Sequence, residues 1–192
     1  MYPYEKMIVV TDRSLCRTDF LSQIRRAVQL QPCGLILRER DLSNEDYQLL
    51  ARKVQEVCKA ARVPFFIHSR IQVAREIDCP NIHLPLPVLR ELGGHRPAGF
   101  SKESSCVSVS CHSMEDMLEA VEAGADRIIL GTIFETACKR GLRGKGLSFL
   151  QKISIACPVP VYAIGGIKES NIDAVIAAGA AGGCMMSRFM EL

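Results

Sequence analysis

A closed (β/α)8 barrel is the fold class this sequence predicts, and two observations predict it. Eight short, nearly continuous apolar runs of strand length recur along 192 residues, each followed by a helical pattern or its remnant. The stretch from Cys106 to Lys145 is a full βαβ unit in itself. Its β-branched run through Val107 and Val109 ends at Cys111 and His112, and Ser113 with Asp116 three positions on has the spacing of a helix N-cap. Gly124 stops that helix, and a second strand runs from Arg127 to Phe134. Parallel strands joined this way need a right-handed crossover, and ligands gather at their carboxyl ends.

Taken in order, the first strand is Met7 to Thr11, followed by a helical segment from Ser14 to Leu30 with Leu15, Phe20, Ile24 and Val28 near helical spacing. Gly34 to Leu37 is the second strand, ending in Arg38, Glu39, Arg40 and Asp41; Ser43 with Asp46 opens the next helix, to about Arg62. Val63 to Ile67 is the third, ending at His68 and Ser69, with a short helix from Ile71 to Ile77. Asn81 to Leu84 is the fourth, stopped by Pro85 and Pro87, and Leu89 to Phe100 reads as a helical turn and then a loop. After the βαβ unit, Glu135 to Gly146 is a long, Gly-punctuated basic loop, of the kind that serves as a lid or binding loop, and a helix from about Leu147 to Ile155 follows. Val159 to Ile164 is the seventh strand, closed by Gly165 and Gly166; Glu169 to Ala178 is helical; Gly183 to Met186 is the eighth strand, ending at Ser187.

Barrels of this class run to about 250 residues, with roughly 200 as their floor. This one is therefore expected as a single domain over residues 1–192 with a truncated last helix, one flank bare unless α1 or a homodimer partner covers it. An open doubly wound sheet is the alternative.

Composition excludes several function classes. A formal charge of +3 with scattered Lys and Arg gives no basic stripe to track a nucleic-acid backbone. No apolar run approaches the roughly 20 residues of a bilayer span, and the N-terminus lacks a signal-peptide pattern, so the expectation is a cytoplasmic protein away from membranes. Nine cysteines, odd in number, evenly spread and never Cys-x-x-Cys, read as buried thiols in a reducing compartment rather than disulfides or a zinc site.

The strand ends nominate the chemistry. Gly165 and Gly166 at the end of the seventh strand and Gly182 and Gly183 leading into the eighth, with Ser187 at its exit, stand where barrels bind phosphate, because glycine admits close backbone approach and amide N–H groups complement anions. Equally, those glycines serve tight turns. Arg38, Arg40 and Lys139 suit a carboxylate or phosphate, although Glu39 is an obvious mate for the arginines. His112 is the acid–base candidate, since an imidazole takes and returns a proton near neutral pH. His68 carries the same weaker signal, and His83, inside an apolar strand, reads as a satisfied core group. Cys111 and Cys138 read as packing groups.

Leu37 to Asp41, Ser110 to Ser113, Gly124 to Asp126, Gly131 to Lys139 and Ala163 to Ile167 together resemble the signature segments of the thiamine phosphate synthase and TenI superfamily, over nearly the whole chain and in order. The resemblance implies the same barrel and one of two activities. The synthase joins a hydroxymethylpyrimidine diphosphate to a thiazole phosphate with magnesium; its third strand ends in Asn-Asp, where this chain has His68 and Ser69, and its second magnesium Asp falls at Val88. A hard cation wants carboxylate oxygens, which neither Ser nor Val supplies. TenI, a thiazole tautomerase, needs no metal or cofactor, and its loop resembles Phe134 to Lys139 followed by Gly141 to Gly146. On that likeness the expected function is a tautomerase acting on a small-molecule thiazole phosphate. His112 is then the catalytic base, Thr136, Gly165, Gly166, Met186 and Ser187 hold phosphate, and Arg38, Arg40, His68, Thr132 and Lys139 line the substrate. Thr132 departs from both relatives. The alternatives are a true synthase and a non-catalytic phosphate-ligand binder or regulator.

Overall fold

The computed structural model describes residues 4–136 and 143–192. Eight strands follow one another in sequence order around a closed barrel, and the pairings β1–β2, β2–β3, β5–β6, β6–β7 and β7–β8 are parallel, where β1 is Met7–Val10, β2 Gly34–Leu37, β3 Phe65–His68, β4 Asn81–Pro85, β5 Cys106–Cys111, β6 Arg127–Gly131, β7 Val161–Ile164 and β8 Gly182–Met185. The open doubly wound sheet is thereby set aside. The chain forms two compact units: the described residues up to Ile82 with Met185–Leu192, and His83–Cys184.

In the first unit every residue of β1 and β2 is buried, as parallel strands covered on both faces require. The expected helix from Ser14 is corrected. Two aspartates break it: Asp12 accepts the Ser14 N–H over a 3-10 turn at Arg13–Leu15, and Asp19 accepts the Ser22 N–H at the start of α1, Phe20–Gln29. Ser43 caps α2, Asn44–Ala61, by accepting the Asp46 N–H at 3.0 Å, as its spacing predicts. The short α3, Ile71–Glu76, follows β3. The last helix, α8, is the expected stub, Ser187–Met190, and α1 covers it, as the expectation allowed, so that Phe189 and Met190 are completely buried. Gln23 on α1 donates to the Phe189 carbonyl at 2.7 Å, and the Tyr4 ring meets the Phe189 ring edge-on at 5.8 Å.

In the second unit Pro85 and Pro87 do not simply stop β4. They open α4, Leu86–Glu91, where a missing N–H costs nothing in the first turn. Ser113 caps α5, Met114–Glu122, by accepting the Asp116 N–H, and β6 ends at Gly131, three residues before the expected Phe134. Helix α6 is Gly146–Ala156 and α7 Ile172–Ala177. Arg96 fastens the Gly-rich segment after α4, donating to the Gly124 carbonyl and to Asp126, both at 2.7 Å, and to Ser105 O at 3.0 Å. Among the described residues no helix is long and apolar enough to cross a membrane, and eight cysteines are free thiols.

Candidate functional site

At the carboxyl ends of β1 and β2 the sequence places two acids among several arginines, and the fold sorts them. Glu39 is 4% exposed. It accepts from Thr11 Oγ1 at 2.6 Å, from the Arg13 N–H on both oxygens at 3.2 Å, and from Arg13 Nη1 at 3.4 Å. The pairing of Glu39 with Arg38 or Arg40 is thus corrected: its carboxylate is held by residues of the β1 end. The Arg13 fork also grips Asp41 bidentately, at 2.6 and 2.5 Å, which holds that carboxyl below its ordinary range. Thr11 Oγ1 in turn accepts the Arg38 N–H at 2.9 Å.

Tyr47 locks β2 to β3. Its buried hydroxyl donates to the Leu37 carbonyl at 2.5 Å and accepts the His68 N–H at 3.2 Å, and burial pushes its ionisation well above the usual phenol range. The Arg70 guanidinium stacks 4.5 Å over the Tyr47 ring and donates to Leu42 O at 2.6 Å and Asn44 Oδ1 at 2.5 Å, so it ties down the loop after β2. The half-buried His68 ring has its Nδ1 2.8 Å from Ser69 Oγ. Burial first, then the charges of Arg38 and Arg40, and more weakly Arg70, drive the His68 pKa down to about 4. The imidazole is neutral at physiological pH.

In the second unit, alternation along β5 puts Ser108 and Ser110 on one face. His83, 4% exposed, bonds both of its ring nitrogens to that face, Nδ1 to Ser108 Oγ at 2.9 Å and Nε2 to Ser110 Oγ at 2.8 Å, so it is the satisfied core group expected. His112 is exposed just beyond β5, with its backbone N–H on the Asp116 carboxylate at 2.8 Å. Its Nδ1 lies 2.8 Å from the Gly131 carbonyl. A carbonyl only accepts, so Nδ1 carries a proton, and Nε2 is the ring nitrogen left to face a ligand. Lys145 Nζ donates to the His112 carbonyl and lies 4.8 Å over the Phe149 ring.

After β6 the chain is clamped from both sides. The N–H groups of Ile133 and Phe134 donate to the carbonyls of Ile164 and Gly165, each at 3.0 Å, while Lys145 N reaches Thr132 O at 3.0 Å and Gly146 N reaches Ile133 O at 2.9 Å. This closeness explains the glycines. A Cβ on Gly165, at φ +98°, would lie 2.5 Å from Thr132 Cγ2, one on Gly166 2.6 Å from Glu135 O, and one on Gly144 2.6 Å from Ile133 O.

The structure therefore brings Arg38, Arg40 and His68 together in one unit, and His112, Thr132, Gly165 and Gly166 in the other. Thr132 is 3% exposed, with its side chain packed toward Gly165; Thr136 is half-buried. Met186 is half-buried and Ser187 exposed at the opening of α8. Lys139 and Cys138 lie outside the described residues. Sequence reasoning missed Thr11, Arg13 and Tyr47. The available signals were an acid flanked by two arginines, needing a partner, and a tyrosine in the first turn of the following helix.

Comparison with known proteins now bears on the chemistry. A family model described as thiamine monophosphate synthase matches residues 7–189. The chain is 30% identical to the thiamine-phosphate synthase of Clostridium novyi over 97% of its own length and 91% of that protein's, and 32% identical to that of Enterococcus faecalis over 96% and 86%. Its fold matches the thiamine phosphate pyrophosphorylase structure from Pyrococcus furiosus with a TM-score of 0.80 at 25% identity, covering 96% of this chain and 86% of that one. These relatives overturn the tautomerase expectation. That expectation rested on missing magnesium ligands and on a loop that partly falls outside the described residues, whereas the likeness to synthases extends over nearly every element.

Proposed function

The chain belongs to the thiamine monophosphate synthase family, and from that premise we propose that it is a transferase of thiamine biosynthesis, a thiamine-phosphate synthase. The reaction joins the exocyclic methylene carbon of a hydroxymethylpyrimidine diphosphate to the ring nitrogen of a thiazole phosphate. A C–N bond forms as the C–O bond to the diphosphate breaks, the C–O electron pair leaves with pyrophosphate, and the thiazole becomes a cationic thiazolium.

That bond change asks little of a base, because the attacking nitrogen is a ring lone pair with no proton to lose. His112, with Nδ1 committed to the Gly131 carbonyl, is then a hydrogen-bonding group that orients the thiazole substrate through Nε2. The leaving group asks for positive charge. Arg38 and Arg40 are assigned to the diphosphate, where charge accumulates in the transition state. Thr136, Gly165 and Gly166 are proposed phosphate contacts of the second unit, and Met186 and Ser187, taken by themselves, of the first.

Magnesium, which the family implies, does not fit the residues present. At the end of β3 the side-chain donors are His68 and Ser69, bonded to each other at 2.8 Å, and the second position is Val88, in the first turn of α4. Among the described residues no group of three or more His, Cys, Asp and Glu gathers to hold a metal ion.

The observation that carries the reading is identity of 30% to 32% to synthases over 96% or more of the chain. Incubating the purified protein with both substrates and measuring thiamine phosphate by chromatography tests it. Product above the no-enzyme rate is expected, and its absence with and without Mg²⁺ ends the proposal.

A further inference from the structure

We infer that the diphosphate end of the substrate is held in the first unit by guanidinium groups, Arg38 and Arg40 beside the His68–Ser69 corner, and that no divalent cation takes part. This rests on the synthase reading and deepens it.

The corner offers no carboxylate. Its hydroxyl and imidazole bond one another, and both are poor ligands for a hard cation. Each acid at the neighbouring strand ends is already engaged. Asp12 accepts from the Ser14 N–H and hydroxyl, Glu39 is buried against Thr11 and Arg13, and Asp41 is gripped by the Arg13 fork. The charged groups acting most strongly on His68 are all cationic, Arg38, Arg40 and Arg70. Positive charge placed at that corner opposes a doubly charged ion and favours a polyanion. The backbone does not forbid the missing carboxylate. Ser69 sits at φ +64°, in the left-handed region that Asp and Asn tolerate better than most side chains. Side chains fasten the frame of the corner, since Tyr47 bridges Leu37 O and His68 N and Arg70 holds Leu42 O and Asn44.

Titration of inorganic pyrophosphate into the intact protein by calorimetry, in EDTA and then in excess Mg²⁺, decides the matter. Binding in EDTA at least as tight as in Mg²⁺ is expected. Arg40→Ala, at an exposed position, should weaken it about tenfold, as loss of one charge-assisted contact does. Ser69→Asp should weaken binding in EDTA by a similar factor and recover part of it in Mg²⁺, because it installs the oxygen ligand the corner lacks; circular dichroism confirms that each variant folds. Tightening of more than tenfold by Mg²⁺ in the unaltered protein, no binding in EDTA, or an Arg40→Ala variant that binds normally overturns the inference. If thiamine phosphate forms in Mg²⁺ while pyrophosphate is ignored in EDTA, this inference falls and the synthase reading stands. If pyrophosphate binds in EDTA and no thiamine phosphate forms, the synthase reading falls and the guanidinium site stands.

Discussion

At the ends of β1, β2 and β3 the chain is fastened by side chains: Glu39 and Asp41 share Arg13, Thr11 links Glu39 to the Arg38 amide, and the Tyr47 hydroxyl joins Leu37 to His68. At the ends of β6 and β7 the chain is fastened by its own backbone, four amide bonds clamping residues 132–134 over glycines that leave no room for a Cβ. A side-chain network fails one group at a time and responds to pH. A backbone clamp responds to neither charge nor pH but collapses when one atom is added. The exposed groups differ as well: Arg40 is exposed in the first region and His112 in the second.

The comparison breaks most readily at the clamp. Gly165→Ala places a Cβ 2.5 Å from Thr132 Cγ2 and 3.1 Å from Thr132 Cα at a φ of +98°, so urea unfolding should show a loss of about 3 kcal/mol. Gly94→Ala, at φ +70° with nothing within 4 Å, is the control and should lose only about 1 kcal/mol. Equal losses would mean that backbone strain rather than close packing decides. In the side-chain network, Glu39→Ala strands the Thr11 hydroxyl and the Arg13 amide and should cost about 2 kcal/mol by the same measurement. Tyr47→Phe removes the hydroxyl from Leu37 O and His68 N and should cost about 1 to 2 kcal/mol.

The pH response sharpens the contrast. The His68 pKa is lowered from 6.5 to about 4 in the folded chain, so between those values the unfolded state binds more protons. Stability present above pH 6.5 is therefore lost as pH falls toward 4. After allowance for solvent screening at a half-buried ring, the expected loss from pH 6.5 to 5 is about 1 kcal/mol, and His68→Asn should flatten it. The remaining effect is on rate rather than stability and belongs to His112→Ala. If the imidazole only orients substrate, kcat/KM for thiamine phosphate formation falls no more than about tenfold, the worth of one hydrogen bond; a loss of a thousandfold or more would restore it as an acid–base group.

Much of the barrel was legible because its signals are local. Apolar runs, Ser43 and Ser113 as caps, and the glycine stops at Gly124 and Gly179 each act within a few residues, so strand and helix order follow from them directly. Elements failed where two local signals compete, as when Asp12 and Asp19 split the expected first helix and when Pro87 opened a helix instead of closing a strand. The family was legible too, but the choice between its two activities was not: the missing carboxylates pointed one way, and the likeness of the rest of the chain points the other.

By itself the sequence determined the order of the strands and which reactive side chains stand near the ends of β2, β3 and β5, since β-strand length and period place Arg38, His68 and His112 with no knowledge of their neighbours. Tertiary structure alone decided their states. Glu39 belongs to Arg13, 26 residues away, His68 is neutral because the fold buries its ring and, second, brings arginines to it, and Gly165 is obligatory because Thr132 packs on it. Partner choice and close approach are properties of distance in space, which the order of residues along a chain does not carry.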